Sequence, residues 1–268
     1  MRTLTLGYSP CPNDTFIFYA LVHGKVKDHE IEFKESLLDV ETLNNLALKG
    51  EFDVTKVSFH AYLYLKDQYL LLNAGGALGR GCGPLLVARE PLEMENLKGK
   101  RIAIPGILTT AFLLLRLYNP EYGENIVVMP FHEILGAVKS GIVDAGLIIH
   151  ESRFTYLSYD LHEMIDLGRW WEEETGLPIP LGCIIIKKDF SDIIENVENL
   201  IRRSIAYAHD NREDVMPYIR ENARELDDSV IARHIGLYVN EYTMDYGSDG
   251  KRAIEEFLYR AEQLSRER

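Results

Sequence analysis

Through the first two thirds of the chain, short apolar or alternating runs are separated by stretches of helical periodicity, and that alternation restricts the fold to a mostly parallel α/β sheet. The strand-like runs are Thr3–Tyr8, Ile31–Glu35, Asp53–Val57, Tyr69–Leu72, Pro84–Ala88, Arg101–Ile104, Asn125–Met129, Ala145–Ile149 and Gly182–Lys187. Asp39 caps a predicted helix that carries Val40, Leu43 and Leu46 on one face and stops at Gly50. Beyond Ser191 the pattern is almost wholly helical: Ile194, Val197, Leu200, Ile201 and Ile205 keep a 3.6-residue period, as do Ile254, Phe257, Leu258 and Ala261.

A weak internal echo refines this. LKGEFDVTKVS (Leu48–Ser58) and VKSGIVDAGLIIH (Val138–His150) share one grammar: a helix end, a glycine stop, an aspartate, then a strand. LGYSPCPNDTF (Leu6–Phe16) and IAIPGILTTAF (Ile102–Phe112) are each a strand, a proline loop and an apolar helix. Two α/β lobes of similar build explain both pairs. The polar segment after Ala88 and the Pro178–Pro180 segment read as two crossings between lobes. The expected division is a discontinuous large lobe, 1–88 plus 182–268, with a smaller lobe, 89–181, inserted near Arg89 to Leu181. Two crossings make a hinge that closes on a ligand.

Composition narrows what that ligand is. A formal charge of −13 without a long basic run argues against nucleic acid. It leaves room for a small anionic substrate in a locally basic pocket. No apolar leader opens the chain and no run is long enough to span a bilayer, so a cytoplasmic protein without a membrane partner is expected. Cys11, Cys82 and Cys183 are far apart and read as reduced thiols. Neither a phosphate-binding glycine loop nor metal-ligand spacing is present, so no cofactor and no metal are expected. The glycine cluster Gly75–Gly83 reads as a turn. Nothing in the chain sets an oligomeric state.

Ligands of parallel α/β sheets sit beyond the carboxyl ends of the strands. Applied to both lobes, that rule gathers Ser9 to Asp14, Lys56 and Ser58 from one side and Thr109, Thr110, Ala111 and His150 from the other. Asn44 lies near the same mouth. The loop SPCPND holds two prolines, which remove backbone donors and stiffen it. Its Asp14 can accept a proton or orient a hydroxyl, while Pro12 also suits a helix start capped by Asn13 or Asp14. Thr109 and Thr110 suit a carboxylate, through hydroxyls and helix N-terminal amides. His150 has the unperturbed pKa of a general base, although a histidine after an apolar strand is more often a hydrogen-bonded structural residue than a catalyst. Ser58 can cap the next helix, Lys56 can be a solvated strand-end charge, and Trp170 with Trp171 can stack on a substrate or pack on the hinge.

Taken in order, SPCPNDTFIFYALVHGKV, DVETLN, TKVS, GGALGRGCGPLLVAR, TTAFLLL, GLIIHESRFTY and WWEEETGLPIPLG resemble the 1,4-dihydroxy-6-naphthoate synthase family of the futalosine route to menaquinone. The resemblance runs from Leu4 to about Lys187 and continues more loosely beyond. It implies the two-lobed type II periplasmic-binding-protein-like fold with an interlobe cleft, used as a cytosolic lyase. The implied substrate is cyclic dehypoxanthine futalosine, with release of 1,4-dihydroxy-6-naphthoate and a sugar-derived fragment. Carried over, the general base falls on His150. Ligand contacts fall on Asn44, on Lys56, Val57 and Ser58, and on Thr110 with Ala111, and Asp14 lies in the family's opening loop. A solute-binding protein, a chorismate dehydratase and a regulator's sensing domain are the competing readings. The missing leader, the GLIIHESRFTY motif and the absence of a preceding helix-turn-helix segment weigh against each in turn.

Overall fold

The computed structural model describes residues 1–91, 93–223 and 227–266. Its strands are β1 (Arg2–Tyr8), β2 (Ile31–Leu37), β3 (Val54–Ser58), β4 (Tyr69–Leu71), β5 (Ala77–Gly79), β6 (Leu85–Ala88), β7 (Ile102–Ile104), β8 (Ile126–Val128), β9 (Ala145–Ile148), β10 (His162–Asp166) and β11 (Ile179–Lys187). The helices are α1 (Pro12–Val22), α2 (Val40–Leu48), α3 (Phe59–Tyr62), α4 (Thr110–Tyr118), α5 (Phe131–Lys139), α6 (Ser152–Thr155), α7 (Leu167–Thr175), α8 (Ile194–Asp210), α9 (Arg212–Asn222), α10 (Asp228–Tyr238), α11 (Glu241–Met244) and α12 (Gly247–Arg266).

These strands form two sheets, ordered β2-β1-β3-β11-β4, with β5 beside β11, and β10-β6-β9-β7-β8. Both sheets follow one plan. In the first, β1 lies parallel to β2 and β3, and β11 enters antiparallel beside β3. In the second, β7 lies parallel to β8 and β9, and β6 enters antiparallel beside β9. The echoed segments occupy equivalent places: β1–α1 matches β7–α4, and β3 matches β9.

Register corrects the sequence reading: the sheets are mixed rather than mostly parallel, with four parallel and five antiparallel strand pairings, and three segments are placed differently. Leu85–Ala88 pairs with Ile148–Ala145, so this strand belongs to the second sheet although it precedes Arg89. We infer that the first crossing lies near residues 80–84 and the return near 176–179. The glycine cluster is more than a turn, because Ala77–Gly79 pairs along β11. His162–Asp166 adds an edge strand antiparallel to β6 that was not anticipated.

Packing shows how the crossings fit. A Cβ on Gly83 would lie 2.3 Å from the Cα of Gly168, so the two backbones touch only because both residues lack side chains. Trp171 is fully buried, donates from Nε1 to the Pro178 carbonyl at 3.1 Å and meets Phe257 edge-on at 5.6 Å. It therefore braces the return crossing, the second of the two roles open to it. One core cluster runs continuously through both lobes, from Val57 and Phe59 to Leu86, Phe112 and Leu147. A second cluster packs the far face of the first sheet against α1, α8, α9 and α10. Residues 12–21 of α1 are all buried, which explains its uninterrupted apolar run.

Candidate active site

The loops after β1, β3, β7 and β9 converge on one cavity. Ser9, Asn13, Asp14, Lys56, Val57 and Ser58 line one side, and Thr109, Thr110, Ala111, Ile149 and His150 the other. Leu181 and Gly182 of β11 close it. Of the residues expected to meet substrate, only Asn44 is missing from the wall.

Asp14 is the best-held group in the cavity. Its Oδ2 accepts from the Ser9 N–H at 3.2 Å and the Ser9 hydroxyl at 2.8 Å. Its Oδ1 accepts from Asn13 Nδ2 at 2.8 Å and from Lys56 Nζ at 2.8 Å. Lys56 donates a second time to the Gly75 carbonyl at 3.1 Å. Both partners are buried, with side chains 6% and 3% exposed, so Lys56 is no solvated strand-end charge. Ion pairs this deep stand only when the remaining donors and acceptors are satisfied. Pro12 does open α1, but Cys11 is the N-cap residue and its carbonyl accepts from the Asp14 and Thr15 N–H groups. The Asn13 and Asp14 side chains face the cavity instead of capping the helix.

Asn44 stands one step behind the wall. It is fully buried, accepts from the Ser58 N–H at 2.8 Å and donates to the Ser58 hydroxyl oxygen at 3.1 Å. Its contribution is to fix Ser58, whose own hydroxyl proton stays available to the cavity. Ser58 is the N-cap residue of α3 but its side chain makes no capping bond. Beside it, Glu41 accepts from Asn44 Nδ2 at 3.2 Å and from the Leu108 N–H of the other lobe at 3.1 Å.

The threonine hydroxyls are spent locally. Thr109 donates to the Gly106 carbonyl at 2.7 Å and caps α4 by accepting from the Phe112 N–H at 3.2 Å. Thr110 donates to the Leu181 carbonyl at 2.7 Å. What the start of α4 offers an anion is the N–H groups of Thr110 and Ala111, which as first-turn residues have no intrahelical acceptor.

His150 sits at the carboxyl end of β9 with φ of 55°, a left-handed conformation that non-glycine residues adopt rarely and mostly under constraint. Its ring meets Phe131 edge-on at 5.0 Å and lies parallel to His234 at 6.0 Å and 13°. Burial pushes its pKa down to about 4; the Lys56 charge adds to this and the Asp14 charge opposes it. The ring is therefore an unprotonated base at neutral pH. Among the described residues, no group of three or more His, Cys, Asp or Glu side chains is placed to hold a metal, and no helix is long and apolar enough to cross a membrane.

Local pattern missed Val40, Ala77, Cys82, Pro84 and Tyr238, which also line the cavity, and His234, which lies behind Asn13. The signal available was the α10 stripe Ile231, His234, Ile235 and Tyr238, in which two polar-tipped residues share a buried face. The Tyr238 hydroxyl makes no hydrogen bond to protein among the described residues, although the residue is only 7% exposed.

Comparison with known proteins identifies the family and the fold. A family model described as Menaquinone biosynthesis matches residues 4–263. The 1,4-dihydroxy-6-naphthoate synthase of Thermus thermophilus is 50% identical over 263 residues, covering 98% of this chain and 95% of the relative. A crystal structure of an Archaeoglobus fulgidus protein superposes with a TM-score of 0.92 at 39% identity, covering 98% of each chain. A Candida albicans gene product described as having the generic periplasmic binding protein fold superposes with a TM-score of 0.71 at 16% identity, covering 99% of this chain and 92% of that one, which bears on fold alone. The fold is thus the two-lobed periplasmic-binding-protein-like α/β architecture with a cleft between lobes.

Proposed function

This chain belongs to the menaquinone biosynthesis family and is an enzyme, and from that premise we propose that it is the lyase that converts cyclic dehypoxanthine futalosine to 1,4-dihydroxy-6-naphthoate with release of a sugar-derived fragment. The observation that carries the reading is His150, an unprotonated imidazole on a strained backbone at the wall of the interlobe cavity, opposite the Asp14–Lys56 pair.

In this reading His150 removes a proton from the cyclic adduct, the bonds to the sugar-derived part break, and aromatisation of the second ring draws the step forward. No net oxidation or reduction occurs. The third N–H of Lys56, the Ser58 hydroxyl and the α4 N-terminal amides supply donors for a substrate carboxylate and for developing enolate charge. Asp14 orients a substrate hydroxyl or carries a proton from it. The mostly apolar walls, with Val57, Ala111, Ile149 and Leu181, suit an aromatic product. Two lobes closing over the adduct would orient it and exclude water.

The experiment is to incubate the purified protein, with no added cofactor, with cyclic dehypoxanthine futalosine and follow dihydroxynaphthoate by mass and absorbance. Wild type is expected to form product and folded His150→Ala to lose about 10²–10⁴ in rate, the usual share of a positioned general base. Binding of substrate by both proteins with no product from either would replace the lyase by a solute-binding protein.

A further inference from the structure

His234 is fully buried on α10, more than eighty residues beyond His150, and belongs to no loop at the sheet ends. Its Nε2 lies 3.0 Å from the Asn13 side-chain oxygen. The polarity of that contact is fixed from the far end of the chain of bonds. Asp14 Oδ1 accepts from Lys56, and Asn13 turns its amide nitrogen to the same oxygen at 2.8 Å. The Asn13 oxygen must therefore face His234, and Nε2 must carry the proton that it accepts. On the other ring nitrogen, Nδ1 lies 3.8 Å from Glu151 Oε2, and the face of the ring lies parallel to that of His150. One buried imidazole thus touches the support of Asp14 and the back of His150 at once.

We propose that His234, as the Nε2–H tautomer, is a positioning residue that orients the Asp14 carboxylate by locking the Asn13 amide. This inference rests on the lyase reading, in which Asp14 meets the substrate. Without the donor, the Asn13 amide is free to turn its oxygen toward Asp14, and the carboxylate loses one of its four donors. Misplacement of a reacting group by about 1 Å costs on the order of 10² in rate.

Two substitutions separate the hydrogen bond from the packing. His234→Phe keeps a ring against His150 and removes the donor; His234→Gln keeps a side-chain N–H at nearly the same reach and removes the ring. Turnover of cyclic dehypoxanthine futalosine is expected to fall about 10²-fold in kcat for His234→Phe, with KM within about threefold, because the interaction acts on orientation rather than on binding. His234→Gln is expected to recover to within about tenfold of wild type, and adding Asn13→Ala to His234→Phe to cost little more, as for residues acting as one unit. Side-chain ¹⁵N–¹H spectra of the folded wild type should show His234 protonated on Nε2, a readout that needs no variant to fold. A wild-type kcat for His234→Phe, equal losses in the Phe and Gln variants, or an Nδ1–H tautomer would overturn the proposal while leaving the lyase reading intact. Absence of product from wild type would remove both.

Discussion

Two histidines buried in the interior, His60 and His234, give acid a specific handle on this fold. They are 4% and 0% exposed. Burial pushes the His60 pKa down to about 4, with the nearby Arg116 charge adding to the effect, and pushes that of His234 well below the usual imidazole value. In the unfolded chain both rings take up protons through about pH 6.5, whereas the folded His60 ring does so only near 4 and the folded His234 ring well below the unfolded value. Between those limits the unfolded state binds more protons, so stability falls as pH falls. Going from pH 7 to pH 5, moving the His60 ring from 6.5 to about 4 costs about 2 kcal/mol, and His234 adds a cost of the same sign. That is a large part of the 5–15 kcal/mol that ordinarily holds a domain together. His150, open to the cavity, adds to the trend. Glu41, whose carboxyl burial raises, opposes it, because the folded state then holds the extra proton. The assay is urea unfolding at pH 7, 6 and 5 with a shared m-value, on wild type, His60→Gln and His234→Gln. Each variant starts less stable, yet each should lose less than wild type across the same interval, by about 2 kcal/mol for His60→Gln. An unchanged pH dependence in both variants would refute the idea that buried neutral imidazoles set it.

Lys56→Met removes one half of a buried ion pair and is expected to cost about 3 kcal/mol, the low end of the usual range because Asp14 keeps three other donors. The double variant Lys56→Met/Asp14→Leu should be more stable than Lys56→Met alone; a double variant less stable than the single would show that the charge left behind is not the cause. Tyr238→Phe deletes a hydroxyl that bonds to no described protein group, so its unfolding free energy should stay within about 0.5 kcal/mol of wild type. Its kcat/KM should fall about tenfold, the worth of one donor to substrate; an unchanged kcat/KM would exclude the hydroxyl from the site.

Much of the fold is legible because strand and helix periods are local. The Asp39 cap is one case: its carboxylate accepts from the Glu41 and Thr42 N–H groups, as the short polar residue before an apolar stripe suggests. What escaped depends on partners far away in the chain. Gly76 is needed because a Cβ there would come within 2.3 Å of the Tyr246 hydroxyl, and Gly79 packs against Asn240. Seen locally, those glycines read as a turn. The apolar run at Leu85–Ala88 looks the same whichever sheet receives it, and only its pairing with β9 assigns it. His162–Asp166 is an edge strand with its first residues exposed, so alternation is weak there. In the site, the residues at strand ends were readable from the topology rule. Asn44 and the threonine hydroxyls hold neighbouring groups in this structure, commitments that local sequence does not reveal. Tyr238 and His234 reach the cavity from a helix whose stripe reads as ordinary core.

The antiparallel fourth strand of each sheet also sets an order of events as the chain folds. In the second sheet Leu85 pairs with Ile148, 63 residues on, whereas in the first Ser58 pairs with Gly182, 124 residues on. The inserted lobe thus closes over shorter loops, and its strands have all emerged before β11 is synthesised. The first sheet waits with β3 uncovered on one edge until nearly 190 residues exist. Pulsed hydrogen exchange during refolding should find β7 and β9 protected ahead of β1 and β3; the reverse order would mean that the terminal helices assemble the first lobe without its last strand. On this view the cavity is the final thing made, since its floor at Leu181 and Gly182 arrives with the strand that completes the first sheet.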